Sequence, residues 1–196
     1  MGEMAYAYQV VRRSKSELAL LRKHAEETCF GAQIAANRPA DAVAAGLAAV
    51  ERGASWVDLN CGCPIHDIVR RGMGAVLLQR PAHLGKLVAE MVKAIPVPVT
   101  VKIRLGWSES EQNASETAKA IEEAGAAAIT VHGRTREQRY SRAADWDSIA
   151  RIASERSIPV IGNGDLLTWY ETHERWKASG VASVMIGRGA LIKPWI

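Results

Sequence analysis

The sequence has few of the features that indicate a secreted or membrane-spanning protein. Its 196 residues include only three cysteines and no run of 18 apolar residues, so we expect no transmembrane helix. The amino-terminal stretch lacks the apolar segment and small-residue cleavage site of a signal peptide. An odd cysteine count without such a signal favours free thiols over a disulfide framework.

Two further absences bear on the fold and the site. No G-x-G-x-x-G motif follows the first apolar run, which disfavours a dinucleotide-binding open sheet. Cys61 and Cys63 form a C-x-C pair rather than C-x-x-C, and only Cys29 and His66 could add ligands. Because zinc sites usually need four ligands from paired units, we expect no metal site.

The sequence does contain a regular alternation of short β-branched runs and longer alanine-rich stretches. The runs are almost continuously apolar, which is typical of parallel strands covered on both faces. Predicted strands cover 29–35, 56–60, 99–104, 128–133, 159–163 and 183–187. Predicted helices cover 39–53, 82–95, 115–126, 145–156 and 168–180.

Repeated βα units of this kind build either an open doubly wound sheet or a closed barrel. A complete (β/α)8 barrel takes about 250 residues, more than the 196 present. We therefore predict an α/β fold of the TIM (β/α)8 type that is incomplete and occupies residues 1–196. A shortened strand is expected at residues 1–4, followed by a helix at 5–26.

Polar residues fall regularly at one end of the predicted strands. The carboxyl ends of all strands meet at one face of a (β/α)8 barrel, and that face carries the active site. We therefore predict a functional site there. The residues at or just after the strand ends are Gln33, Asn60, Lys102, Arg104, His132, Arg134, Asn163, Gly164, Asp165, Gly187 and Arg188.

Several of these residues allow two interpretations. Lys102 and Arg104 are two positions apart, so both point to the same side of their strand. They could contact an anion or an electron-rich ring, or they could be exposed charges on an edge strand. His132 could be a ligand-binding residue or a histidine of the core.

Glycine-flanked segments follow the last two strands, as GNGD (162–165) and GRGA (187–190). Glycine allows backbone N–H groups to approach a ligand closely, and Arg188 could add charge-assisted hydrogen bonds. Together the two segments favour a phosphate-binding cradle over a pair of plain turns.

The two neighbouring cysteines have different expected roles. Cys61 lies next to the strand and is expected to pack in the core. Cys63 lies in the following loop, where its thiol could face a ligand. A thiol with a pKa of about 8.5 stays mostly protonated at neutral pH, so Cys63 could act as a general acid or a nucleophile.

These motifs together resemble the tRNA-dihydrouridine synthase family over essentially the whole chain. The similarity to the eukaryotic-type branch that acts at position 47 of tRNA is greater than to the common bacterial branches, and HGRTREQRYSRAADW is the most specific segment. The matching motifs are FGAQIAAN (30–37), NCGCP (60–64), VKIRLG (101–106), TVHGRTREQRY (130–140), GNGD (162–165) and GRGALIKPW (187–195).

The resemblance implies a catalytic barrel that binds FMN and uses NADPH to reduce it. It assigns the flavin ring to Gln33, Lys102 and His132. It assigns the ribityl chain and phosphate to Asn163, Gly164, Asp165, Gly187 and Arg188. The family's first strand and its helical carboxyl-terminal domain are expected to be absent from this sequence.

The resemblance also implies that a uridine of tRNA is reduced to 5,6-dihydrouridine. Asn60 would orient the uracil, Arg104 and Arg134 would bind the flipped-out nucleotide, and Cys63 would protonate C5 after hydride reaches C6. Such activity implies a protein that is located in the cytoplasm or the nucleus and does not associate with a membrane. Loop arginines are expected to contact tRNA phosphates, namely Arg70, Arg71, Arg80, Arg136, Arg139 and Arg142.

Two other functions stay open at the level of sequence. An FMN barrel related to dihydroorotate dehydrogenases would act on a free pyrimidine, but it would leave the arginine-rich loops unexplained. A truncated and inactive barrel would bind only RNA or a protein partner.

Overall fold

Seven short strands form a single all-parallel sheet in a computed structural model that describes residues 1–196. The strands are hydrogen-bonded in chain order from β1 to β7. This is the strand order of a (β/α)8 barrel that lacks one strand, and it confirms the predicted partial barrel. The strands are β1 (Ala5–Tyr6), β2 (Gly31–Ala35), β3 (Trp56–Asn60), β4 (Val99–Arg104), β5 (Ala128–His132), β6 (Val160–Asn163) and β7 (Ser183–Met185).

Eight α-helices and one 3-10 helix (Gly74–Gln79) connect the strands, and a ninth α-helix follows the last strand. The long helices pack against the sheet and one another around one main apolar core. No helix has the length and apolarity needed to span a membrane. The α-helices are α1 (Ala7–Val11), α2 (Lys15–Leu20), α3 (Pro39–Val50), α4 (His66–Arg70), α5 (Pro81–Ala94), α6 (Ala114–Glu123), α7 (Trp146–Glu155), α8 (Trp169–Ser179) and α9 (Arg188–Ile192).

Local sequence signals set several helix boundaries. Proline, whose missing N–H is harmless in the first helical turn, begins α3 and α5. Asp145 and Thr168 cap the first turns of α7 and α8 by accepting hydrogen bonds from backbone N–H groups. Gly180 ends α8 in a left-handed conformation with φ of 66°.

The register of the sheet places the polar strand ends at matching heights. Asn60 of β3 lies opposite Lys102 of β4, and Arg104 of β4 lies opposite His132 of β5. His132 in turn lies opposite Asn163 of β6. Since neighbouring residues in register point to the same side of a sheet, these side chains are brought together at one mouth.

The predicted strand at 1–4 and the single predicted helix at 5–26 are both wrong. Residues 5–6 instead form β1, which pairs with Ile34 and Ala35 of β2. Two short helices follow, separated by a turn in which Arg13 has φ of 59°. The buried carboxylate of Glu17 accepts the Tyr6 backbone N–H at 2.6 Å, a tertiary contact that holds the strand in place.

Two segments expected to be loops contain helix. The segment after β3 holds α4 and the 3-10 helix, and Ile68 and Met73 are buried within it. The Ala75 N–H donates to the Cys63 carbonyl at 3.0 Å, which ties this segment to the thiol-bearing loop. The glycine-flanked segment at 187–190 is the start of α9, which begins at Arg188.

Gly31→Ala should destabilise the fold, because a Cβ atom at this position of β2 would collide with the indole of Trp56 on β3. Overpacking of this kind costs about 1–3 kcal/mol of unfolding free energy, measurable by urea denaturation. In the double variant Gly31→Ala/Trp56→Leu the smaller side chain removes the collision, so the double variant should lose less stability than the sum of the single variants. Additive losses would contradict this account of Gly31.

Candidate active site

A cavity of ≈ 350 Å³ opens at the carboxyl ends of the strands, a volume within the range of small-molecule sites. All twelve residues predicted from the sequence lie in its wall. They are Gln33, Asn60, Cys63, Lys102, Arg104, His132, Arg134, Asn163, Gly164, Asp165, Gly187 and Arg188. The structure therefore brings the predicted site residues together, and their individual roles stay predictions.

The amide of Asn60 holds the loop that carries Cys63. Its Oδ1 accepts hydrogen bonds from the backbone N–H groups of Gly62 at 3.1 Å and Cys63 at 2.8 Å. Its Nδ2 donates to Gln33 Oε1 at 2.9 Å. Cys63 is half-buried in the cavity wall. Cys61 is fully buried in the core, as predicted, and burial raises the pKa of its thiol well above the ordinary value.

Lys102 is a half-buried cation with one hydrogen-bonding partner. Its Nζ donates to Asn163 Oδ1 at 3.2 Å, and Asn163 Nδ2 donates to the Met185 carbonyl at 2.7 Å, which fixes the orientation of that amide. Burial, together with the nearby charge of Arg104, lowers the pKa of Lys102 to about 8, and the carboxylate of Asp58 opposes this shift. An ammonium group has three hydrogens, so Lys102 has donors left for a ligand.

His132 is neutral at physiological pH. Burial, together with the charges of Lys102, Arg104 and Arg134, lowers its pKa to about 3. Arg134 Nη1 lies 3.2 Å from His132 Nε2. Because a guanidinium can only donate, Nε2 is the acceptor, and Nδ1 carries the ring hydrogen.

Asp165 anchors Arg134 at the edge of the cavity. Its two carboxylate oxygens accept from Arg134 Nη2 at 2.7 and 2.6 Å, and Oδ2 also accepts the Ala144 N–H at 2.8 Å. Burial acts to raise the pKa of Asp165, but these bonds hold it below the ordinary value. The Arg134 side chain is almost fully buried, so this pair fixes its guanidinium in the cavity wall.

Arg104 joins two loops beneath the same cavity. Its Nε donates to the Gly62 carbonyl at 2.7 Å, and its Nη1 donates to the Thr135 carbonyl at 3.0 Å. The residue is buried, and burial lowers the pKa of its guanidinium. Arg104 thus orders the loops after β3 and β5, and its contact with a nucleotide stays a prediction.

Arg188 and Tyr140 form the outer wall of the cavity. The guanidinium carbon of Arg188 lies 4.2 Å from the centroid of the Tyr140 ring, a cation–π geometry. Arg188 Nη2 is also 3.6 Å from Asp165 Oδ1. Tyr140 was not among the predicted site residues, although an aromatic residue directly following Arg139 in the long loop after β5 was an available signal.

The charges of the cavity wall are unequal. Four cationic side chains line it, and Asp165 is the one carboxylate among the lining residues. That carboxylate is already occupied by Arg134. The cavity is therefore suited to an anionic ligand that is rich in hydrogen-bond acceptors.

The family follows from comparison with known sequences. The family model described as "Dihydrouridine synthase (Dus)" matches residues 1–196, the whole chain. The chain belongs to the dihydrouridine synthase family. This confirms the family that the motifs indicated.

Relatives within the dihydrouridine synthase family differ in similarity and length. A tRNA-dihydrouridine(47) synthase [NAD(P)(+)] of Coprinopsis cinerea is 44% identical over the whole chain, and a tRNA-dihydrouridine(47) synthase [NAD(P)(+)]-like protein of Oryza sativa is 40% identical. The chain spans 31% and 29% of their respective lengths. The tRNA-dihydrouridine synthase B of Proteus vulgaris is 38% identical over 96% of the chain and 58% of its own length. The predicted resemblance to the position-47 branch is confirmed.

The ionisation of Lys102 should make stability depend on pH. Its pKa in the folded chain is about 8, below the ordinary 10.5, so the folded state releases this proton first as pH rises. The unfolding free energy should therefore increase between about pH 8 and pH 10.5 relative to that of Lys102→Met. Urea denaturation of both proteins at pH 7, 9 and 10 measures the difference, and parallel pH profiles would show that Lys102 keeps its ordinary pKa.

Proposed function

We propose that residues 1–196 are an FMN-binding catalytic portion of a tRNA-dihydrouridine synthase. It reduces a uridine of tRNA to 5,6-dihydrouridine, with NADPH as the source of electrons, in the cytoplasm or the nucleus. The observation that carries this proposal is a cavity rich in cations that also contains the half-buried thiol of Cys63. The side chains that the motifs indicated all line this cavity.

The residues present fit FMN. The flavin ring offers acceptor atoms, and Lys102 has unused donors in the cavity wall. Gly187 has no heavy atom within 4 Å of the place where a Cβ would lie, so its backbone is open to a ligand. Gln33, Lys102 and His132 would hold the ring, and Asn163, Gly164, Asp165, Gly187 and Arg188 would hold the ribityl chain and phosphate. Bound FMN would supply the hydride that uracil accepts at C6.

Cys63 is proposed as the acid that protonates C5 of the uracil. The Nε2 atom of His132 faces Arg134, and the low pKa of His132 keeps its ring neutral. Lys102 donates to Asn163. The Cys63 thiol makes no hydrogen bond within the chain, while its backbone is held by Asn60. A positioned group with a free proton is what general acid catalysis requires.

A basic surface beside Cys63 supports a polynucleotide substrate. The exposed residues Arg12, Arg13, Arg70 and Arg71 lie at the ends of α1 and α4, and no carboxylate lies within salt-bridge distance of any of them. We name these four residues the arginine surface. Uncompensated arginines of this kind bind phosphate backbones.

One aromatic ring links the arginine surface to a small apolar cluster that Cys63 also contacts. The guanidinium carbons of Arg12 and Arg71 lie 5.8 and 5.5 Å from the Tyr8 ring centroid. Tyr8 and Cys63 pack against the same small apolar cluster. This location favours tRNA over a free pyrimidine as substrate. The guanidinium carbon of Arg136, another arginine expected to contact tRNA, lies 4.5 Å from the Trp107 ring centroid.

Cys63→Ala should lower the rate of dihydrouridine formation by about 10²-fold or more, the usual contribution of a general acid. The assay supplies the chain with FMN, NADPH and tRNA that lacks dihydrouridine, and mass spectrometry of the nucleosides measures the product. Cys61→Ala is the matched control, since Cys61 is buried away from the cavity and should affect only stability. Equal product from the Cys63→Ala and unmodified chains would exclude the acid role, and no product from the unmodified chain would favour a binding function alone.

Replacing Arg12 and Arg71 by alanine should weaken tRNA binding and reduce its dependence on salt. Removal of one phosphate contact should lower the slope of log K against log salt concentration by about 0.7–0.9. Filter binding at several salt concentrations measures this slope. Arg151→Ala, an exposed arginine on α7, should leave the slope unchanged. A slope that does not differ between Arg12→Ala/Arg71→Ala and Arg151→Ala would exclude the arginine surface as the tRNA contact.

A further inference from the structure

Asp58 is a buried carboxylate just below the cavity. It lies in the middle of β3, is 1% exposed, and is not part of the cavity wall. Thr100 Oγ1 donates to its Oδ1 at 2.6 Å, and Gln33 Nε2 donates to its Oδ2 at 2.8 Å. Burial of a carboxylate is unfavourable unless its oxygens are hydrogen-bonded, and here each oxygen has a donor.

The carboxylate determines which way the Gln33 amide points. Burial raises the pKa of the Asp58 carboxyl, but the hydrogen bonds from Thr100 and Gln33 and the nearby charge of Lys102 favour its ionised form. An ionised carboxylate can only accept hydrogen bonds, so Gln33 directs its Nε2 toward Asp58. Its Oε1 then faces the opposite way and accepts from Asn60 Nδ2 at 2.9 Å. Asn60 is left with its Oδ1 toward the loop, where it accepts the N–H of Cys63 at 2.8 Å.

Reversal of any one amide would break this series. If Gln33 turned its Nε2 toward Asn60, two NH₂ groups would face each other unless Asn60 also reversed. A reversed Asn60 would direct NH₂ toward the backbone N–H groups of Gly62 and Cys63, which cannot accept. The carboxylate at the start of the series is thus the group that makes one amide arrangement favourable.

We propose that Asp58 is a positioning residue for Cys63. Acting through Gln33 and Asn60, it fixes the backbone of the loop that presents the thiol to the cavity. An effect of Asp58 on catalysis rests on the proposed function of Cys63. The hydrogen bonds from Asp58 to the Cys63 loop do not depend on that function. Disruption of the series leaves Cys63 in place but weakens the two hydrogen bonds by which Asn60 holds its loop, while the contacts from Arg104 and Ala75 remain.

The test measures how fast iodoacetamide alkylates Cys63 in the chain without FMN or RNA. A Cys29→Ser background removes the exposed thiol, and Cys61 is buried, so the signal comes from Cys63. In Asp58→Asn the new amide can present either oxygen or nitrogen to Gln33, which permits both arrangements. The alkylation rate should rise about fivefold, the factor that corresponds to one ordinary hydrogen bond.

Thr100→Val is the matched control. It removes the other hydrogen bond to the same buried carboxylate but leaves the Gln33 contact in place. The alkylation rate should therefore stay within about twofold of the background, a smaller change than the loss of one hydrogen bond would cause. Asn60→Ala breaks the last link and should raise the rate as Asp58→Asn does. Thermal unfolding of each variant separates a change in the loop from a general decrease in stability.

Two results would overturn the proposal. One is a folded Asp58→Asn variant with the background alkylation rate, and the other is a rate in Thr100→Val that rises as much as in Asp58→Asn. If Asp58→Asn does not fold, Gln33→Met breaks the series at its middle, and an unchanged rate in that variant overturns the proposal equally. Because the readout needs no cofactor or substrate, a failure of the proposed enzymatic function leaves this test intact.

Discussion

The concentration of positive charge at the mouth of the sheet is the constraint on which the site depends. Lys102, Arg104 and Arg134 are held close together because parallel strands in register end at one face. Cations removed from water are unfavourable without partners, and each of these three has a different set of hydrogen-bonding partners. Arg134 pairs with Asp165, and Arg104 donates to loop carbonyls. Lys102 has a lowered pKa and makes one hydrogen bond, so it is the cation of the three with the most donors left for a ligand.

Much of the fold could be predicted from the sequence. The runs at 56–60 and 99–104 coincide with β3 and β4, because short, mainly apolar runs between helical stretches are typical of strands in a parallel sheet. The cavity residues could be found because period-two spacing within a strand and position at its end determine where a side chain points. The positions of Lys102 and Arg104 in the cavity wall follow from those two facts.

What the sequence could not show depends on contacts between distant residues. The strand at Ala5–Tyr6 is held by the carboxylate of Glu17 and by pairing with β2, and neither is visible in local periodicity. The role proposed for Asp58 needs Gln33 of β2 in register with Asp58 of β3, and Asn60 two residues further along β3. A carboxylate inside an apolar run, two residues before Asn60, was nevertheless a signal of a buried polar function.

Titration of the purified chain with FMN and with riboflavin tests the central claim most directly, because the two ligands differ only in the phosphate. The change in flavin fluorescence gives both dissociation constants. The account predicts that FMN binds at least about tenfold more tightly than riboflavin, since a charge-assisted hydrogen bond contributes about 1.5–3 kcal/mol, and that Arg188→Ala reduces this preference. Equal affinity for the two flavins, or binding of neither, would contradict a cavity built for FMN.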